Sequence, residues 1–173
     1  MGISIDDFDQ EDERCLELIT TTYIYPELNI LTPHLASIQI PLSAALPVAI
    51  TFRNKSGQCS LQKISHLPPL QLVIEMPEGY PTISPPDIEL TSSWIPESVT
   101  EELDCKIHRL WEDTKEGVLY AAIDLIQQGA ETAFGISELE SSLEEELVSF
   151  NKKSLKEVFN TGTYECGVCL GEY

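Results

Sequence analysis

The sequence predicts an α+β fold of the order α-β-β-β-β-α-α. Three observations carry that expectation. An acid-headed helical pattern opens the chain, short β-type runs separated by Pro, Gly, Asn and Ser fill roughly residues 37–91, and the helical period returns only after Pro96. Neighbouring runs joined by short loops imply an antiparallel meander of four strands packed on helices, and eleven prolines spread this way are incompatible with a mainly helical chain.

The first helix follows from Asp6, Asp7, Asp9, Glu11, Asp12 and Glu13, which place negative charge where the helix dipole favours it. Cys15, Leu16, Ile19 and Tyr23 come next at helical spacing, and Tyr25-Pro26 ends the run because the residue before proline is pushed out of the α region. In the β block Ile38 and Ile40 alternate with polar neighbours, and LPVAITF (46–52), LQLVIEM (70–76) and DIELT (87–91) supply three more runs. Asn54-Lys55-Ser56-Gly57 reads as a hairpin turn, and Pro68-Pro69 precedes the third run.

Beyond Pro96, Ser98 or Thr100 is placed to cap a helix carrying Leu103, Ile107, Leu110 and Trp111. Gly117 interrupts it, and a further helix with Val118, Ala122, Leu125 and Ile126 on one face ends near Gly129. A last helical stretch, from about Ser137 to Phe159, carries Leu139, Leu143, Leu147, Phe150 and Leu155 as a stripe. Its Glu144, Glu145 and Glu146 precede Lys152, Lys153 and Lys156, the charge order the dipole favours. These boundaries divide the chain into a domain over residues 1–135, an amphipathic helical linker over 136–160 and a cysteine-bearing end over 161–173.

Composition narrows the function. The formal charge of −19 with ten Lys and Arg argues against nucleic acid, whose phosphates must be neutralised by clustered bases, and against an anionic membrane surface. No stretch reaches the roughly 18 apolar residues of a membrane span, and the acidic start MGISIDDFDQEDE has no secretory pattern. Five cysteines without such a signal indicate reduced thiols in a cytosolic or nuclear protein.

The stretch EGYPTISPPDIEL (78–90) joins the last two strands. Its prolines leave few unfolded conformations to lose, and Tyr80 can cap the core with its ring while offering its hydroxyl to the loop backbone. Tyr80, Pro81 and Pro85 form Y-P-x-x-x-P, which in this element order resembles the RWD domain over roughly residues 5–135. That family is related to the ubiquitin-conjugating enzyme fold, so the resemblance implies a conjugating-enzyme-like scaffold. Conjugating enzymes carry a His-Pro-Asn stretch before a catalytic cysteine; here His34, His66 and His108 are followed by Leu, Leu and Arg. Cys105 lies inside the helical run EELDCKIHRLWED with Glu101 and Asp104 beside it, which reads as an ordinary helix residue. The expectation is a protein-binding module without a catalytic residue, its protein partner unspecified.

At the chain's end stands Cys166-Gly167-Val168-Cys169. A redox pair would need a strand leading into a helix, whereas FNTGTYE precedes it; a pair of tail cysteines without a role and half of a tetrahedral zinc site are the other readings. The order RWD domain, charged helix, then Y-x-C-x-V-C-L resembles the front of RING-between-RING E3 ubiquitin ligases. That resemblance implies that Cys166 and Cys169 are the first two zinc ligands of a RING, and that Val168 contacts a ubiquitin-conjugating enzyme. It also implies that ubiquitin is passed on through a cysteine beyond Tyr173. The alternative expectation is a free-standing RWD adaptor in a non-catalytic complex.

Overall fold

The computed structural model describes residues 11–160. Cys166, Val168 and Cys169 therefore lie outside the described residues, as do Asp6, Asp7 and Asp9. The sheet runs in the order β1-β2-β3-β4, with β5 paired to β2. Its strands are β1 (Asn29–Thr32), β2 (Leu35–Arg53), β3 (Cys59–Glu75), β4 (Asp87–Thr91) and β5 (Glu138–Glu140). Among the described residues four α-helices accompany it: α1 (Glu13–Ile24), α2 (Glu97–Thr114), α3 (Leu119–Ala130) and α4 (Glu144–Asn160). The chain divides into two compact units, residues 1–41 with 69–128 and residues 42–68 with 129–173.

In the first unit, α1 starts where Asp12 accepts the Arg14 N–H at 2.9 Å, satisfying one of the donors that a helix N-terminus leaves without a partner. Cys15, Leu18 and Thr21 are its buried positions. Leu16 and Tyr23, expected to pack with Cys15, are instead 43% and 78% exposed. The apolar residues of α1 spread over more than one face, so spacing alone does not select the inward one. β1 pairs antiparallel with β2 around the Pro33-His34 turn, and β3 pairs antiparallel with β4 from Gln71↔Thr91 to Glu75↔Asp87. Alternation buries Ala36, Ile38 and Ile40 on β2 and Leu70, Leu72 and Ile74 on β3.

The helix after Pro96 forms, but Pro96 itself is the N-cap, without a side-chain bond. Thr100, an expected cap, already lies in the first turn and donates back to the Glu97 carbonyl at 2.9 Å. Leu103, Ile107 and Trp111 are buried as the spacing predicts. Lys115 closes α2 in the left-handed region (φ 53°), and Gly117 precedes α3, whose Leu119, Ala122, Ile123 and Ile126 are all inaccessible to solvent.

The second unit holds the far halves of β2 and β3. Asn54 builds the expected turn: its Oδ1 accepts the N–H groups of Ser56 (3.0 Å) and Gln58 (2.8 Å), and Gly57 takes φ +87°. The structure keeps the four-stranded meander but corrects the strand boundaries. The runs around Ile38 and over 46–52 are one continuous strand, β1 at Asn29–Thr32 was not foreseen, and β3 begins at Cys59, before Pro68. Pro41 separates the two expected runs and Pro47 lies inside the second, and in a strand a proline only removes a donor. Both fall between Ser37, where β1 pairing ends, and Thr51, where β5 pairing begins. On that stretch the Ala45 N–H is taken by the Glu131 carboxylate at 3.0 Å.

The segment 136–160, expected as a helical linker, supplies a strand as well as a helix. β5 pairs parallel with β2 at Thr51↔Glu138, Phe52↔Leu139 and Arg53↔Glu140, and Arg53 bonds Glu138 at 2.7 Å. On α4, Leu147 is fully buried, and the Asn151 Oδ1 accepts the N–H groups of Ser65 (3.1 Å) and His66 (2.9 Å) of β3. Residues 138–151 are thus tied to the hairpin 51–66, a backbone pairing that a leucine stripe does not reveal. No helix among the described residues is long and apolar enough to cross a membrane.

Candidate functional site

The loop between β3 and β4 is fastened from three sides. Gly79, at φ +96°, accepts with its carbonyl the N–H groups of Ile83 (2.7 Å) and Ser84 (3.1 Å), and Tyr80-Pro81 is a cis peptide. From α2, the Trp111 indole N–H donates to the Pro81 carbonyl at 2.6 Å, and His108 Nε2 reaches the Pro86 carbonyl at 3.2 Å. Tyr80 is 4% exposed and Pro81 is buried; Pro85 lies on the surface, and the next residue, Pro86, is the buried one. All three motif residues therefore sit in one braced loop.

The Tyr80 hydroxyl differs from expectation in its target. It serves the start of α3, accepting the Val118 N–H at 2.9 Å and donating to Glu17. The Glu17 carboxylate in turn accepts the Leu119 N–H at 2.7 Å. Two residues far away in sequence thus cap α3, a role a helix usually gives to its own N-cap. Burial pushes the Glu17 carboxyl above its ordinary range, against the bonds from Leu119 and Tyr80 that favour the anion. Burial and the neighbouring Glu17 charge also push the Tyr80 phenol far up, which keeps it a neutral donor.

Beside this cap lies a shallow groove of about 370 Å³, lined by Leu16, Glu17, Thr20 and Ile24 of α1 and by Pro81 and Tyr120 across from them. Gly117 is part of the wall for a steric reason: a Cβ there would stand 2.5 Å from the Glu17 carboxylate. Leu16, Ile24 and Tyr120 are 43%, 52% and 50% exposed. Apolar groups gathered on a concave surface with carboxylates at its edge suit docking of another apolar surface. No local pattern in the sequence marks Glu17 or Tyr120, which come together only once α1 and α3 pack.

Two other constellations carry less. Asp12, Cys15 and His34 bring ligand-type atoms within 4.8 Å of one another. Arg14 already contacts both oxygens of Asp12, at 3.1 and 2.8 Å, and its bond, outweighing partial burial, holds the Asp12 carboxyl down at about 2. The guanidinium occupies the place a cation would take, and the cluster reads as a tie between the α1 cap and the β1–β2 turn. Cys105 lies on α2, inside the expected helical run, and is exposed.

A family model of the RWD domain matches residues 12–130. The E3 ubiquitin-protein ligase itt1 of Schizosaccharomyces pombe is 28% identical over 165 residues, 91% of this chain and 38% of that protein. The E3 ubiquitin-protein ligase RNF14 of Danio rerio is 29% identical over 99 residues, 57% of this chain and 22% of that protein. The chain spans well under half the length of either relative. With α1, strands β1–β4, the braced Tyr80-Pro81 loop, α2 and α3 all inside the matched span, the chain belongs to the RWD domain family.

Proposed function

We propose that this chain is the partner-recruiting region of a RING-between-RING E3 ubiquitin ligase, presenting other proteins to a ubiquitin-transfer machinery that follows it. The observation that carries the docking role is the apolar groove along α1, with Leu16, Ile24 and Tyr120 exposed beside the braced loop. The relatives' names and the Y-x-C-x-V-C-L end support the ligase context. In this reading Cys166 and Cys169 hold zinc with two ligands beyond Tyr173, Val168 meets a ubiquitin-conjugating enzyme, and the protein works in the cytosol or nucleus.

The test uses the protein extended past Tyr173, supplied with ubiquitin, its activating enzyme and a set of conjugating enzymes. The expected result is transfer to the ligase itself in both wild type and Leu16→Asp/Ile24→Asp, with modification of a bound partner lost in the variant. Zinc content and protection of Cys166 and Cys169 from alkylation give a second readout. Rapid alkylation of both cysteines and no transfer with any conjugating enzyme would overturn the ligase reading and leave a free-standing adaptor.

A further inference from the structure

We propose that the α1 groove takes the apolar side of a basic amphipathic helix from a partner protein. The inference rests on the docking reading above and adds the occupant's chemistry. Leu16, Thr20 and Ile24 recur every four residues along α1 and line the groove, while Pro81, Gly117 and Tyr120 form its opposite wall. A ridge of apolar side chains at this spacing fits the matching stripe of a second helix, the usual way an amphipathic helix enters a groove.

The charged residues that line the groove are acidic. Glu13 and Glu17 are in the lining, and Glu116 adjoins Gly117 and is exposed. Asp124 and Glu27 interact electrostatically with Tyr25, whose ring lies 5.9 Å from that of Tyr120. The nearby cations are engaged elsewhere: Arg14 is held by Asp12, and the Lys115 ammonium sits 3.7 Å above the Trp111 ring. Such a rim attracts Lys and Arg flanking an apolar stripe. It repels an anionic membrane and a second copy of this chain, which also carries −19.

The probes are two synthetic amphipathic helices of about 18 residues with the same Leu stripe, one with Lys and the other with Glu on the polar face. They are titrated into the isotope-labelled chain and followed by amide shifts. The Lys peptide should perturb Leu16, Thr20, Ile24 and Tyr120, bind at least tenfold tighter than the Glu peptide, and weaken as salt rises. Leu16→Asn/Ile24→Asn, which leaves the charge unchanged and alters only exposed positions, should lose at least tenfold in affinity at an unchanged melting temperature. Equal binding of both peptides in the groove would overturn the basic partner and keep the docking surface. Binding of neither, or shifts confined to other residues, would remove both. Concentration-dependent shifts of the same residues without peptide would mean that a second copy covers the groove, which also overturns the proposal.

Discussion

Replacing Glu17 by Ala and, separately, by Gln separates two roles of one side chain. Glu17→Ala removes the acceptor of the Leu119 N–H and the partner of the Tyr80 hydroxyl at the start of α3. Losing a helix cap of this kind costs about 1–2 kcal/mol. For a chain of this size that is a fall of about 2–8 °C in Tm. Glu17→Gln keeps an acceptor for Leu119 but has no charge to desolvate. Because the folded carboxyl titrates above its unfolded value of 4.5, its stabilising share is fully present below that value and is lost as pH rises through the folded value. Wild type should therefore lose stability relative to Glu17→Gln on going from about pH 4 to about pH 7.5, with the Gln variant equal or better at the upper end. Denaturant unfolding of the three proteins across that range is the assay. Glu17→Gln as unstable as Glu17→Ala at neutral pH, with no pH dependence in its difference from wild type, would refute the buried-carboxylate argument.

Tyr80→Phe should cost about 1–2 kcal/mol by leaving the Val118 N–H without its acceptor, and Tyr80→Ala about 3–5 by adding a cavity; equal denaturant midpoints for the two variants would contradict this. Asn151→Ala should speed amide exchange at Ser65 and His66, which share its Oδ1, and lower stability by about 1–2 kcal/mol; unchanged exchange at both amides would show that α4 does not hold the strand. Gly129→Ala places a Cβ 2.6 Å from the Phe134 ring, so it should destabilise by about 1–3 kcal/mol, measured as a drop in Tm, and combining it with Phe134→Ala should recover part of that loss.

Local chemistry was enough for the class of fold, the helices after Pro96 and the Asn54 turn: a proline that bars helix, a side chain that folds onto its own backbone, a 3.6-residue period. The Y-P-x-x-x-P loop of Tyr80, Pro81 and Pro85 also pointed to the RWD family, which the match over residues 12–130 shows, since a short proline-set loop is a local feature. Packing alone selected which face of α1 is buried, because apolar residues on several faces satisfy the same spacing. It likewise decided that Pro41 and Pro47 lie within a single strand, since the cost of a missing N–H depends on whether a neighbour asks for it. Three long-range polar pairings were beyond any local rule: Tyr80 with Val118, Glu17 with Leu119, and Asn151 with the β3 backbone. Each joins residues 38 to 102 positions apart, and a hydrogen bond at that range leaves no periodicity in the sequence for a reader to follow.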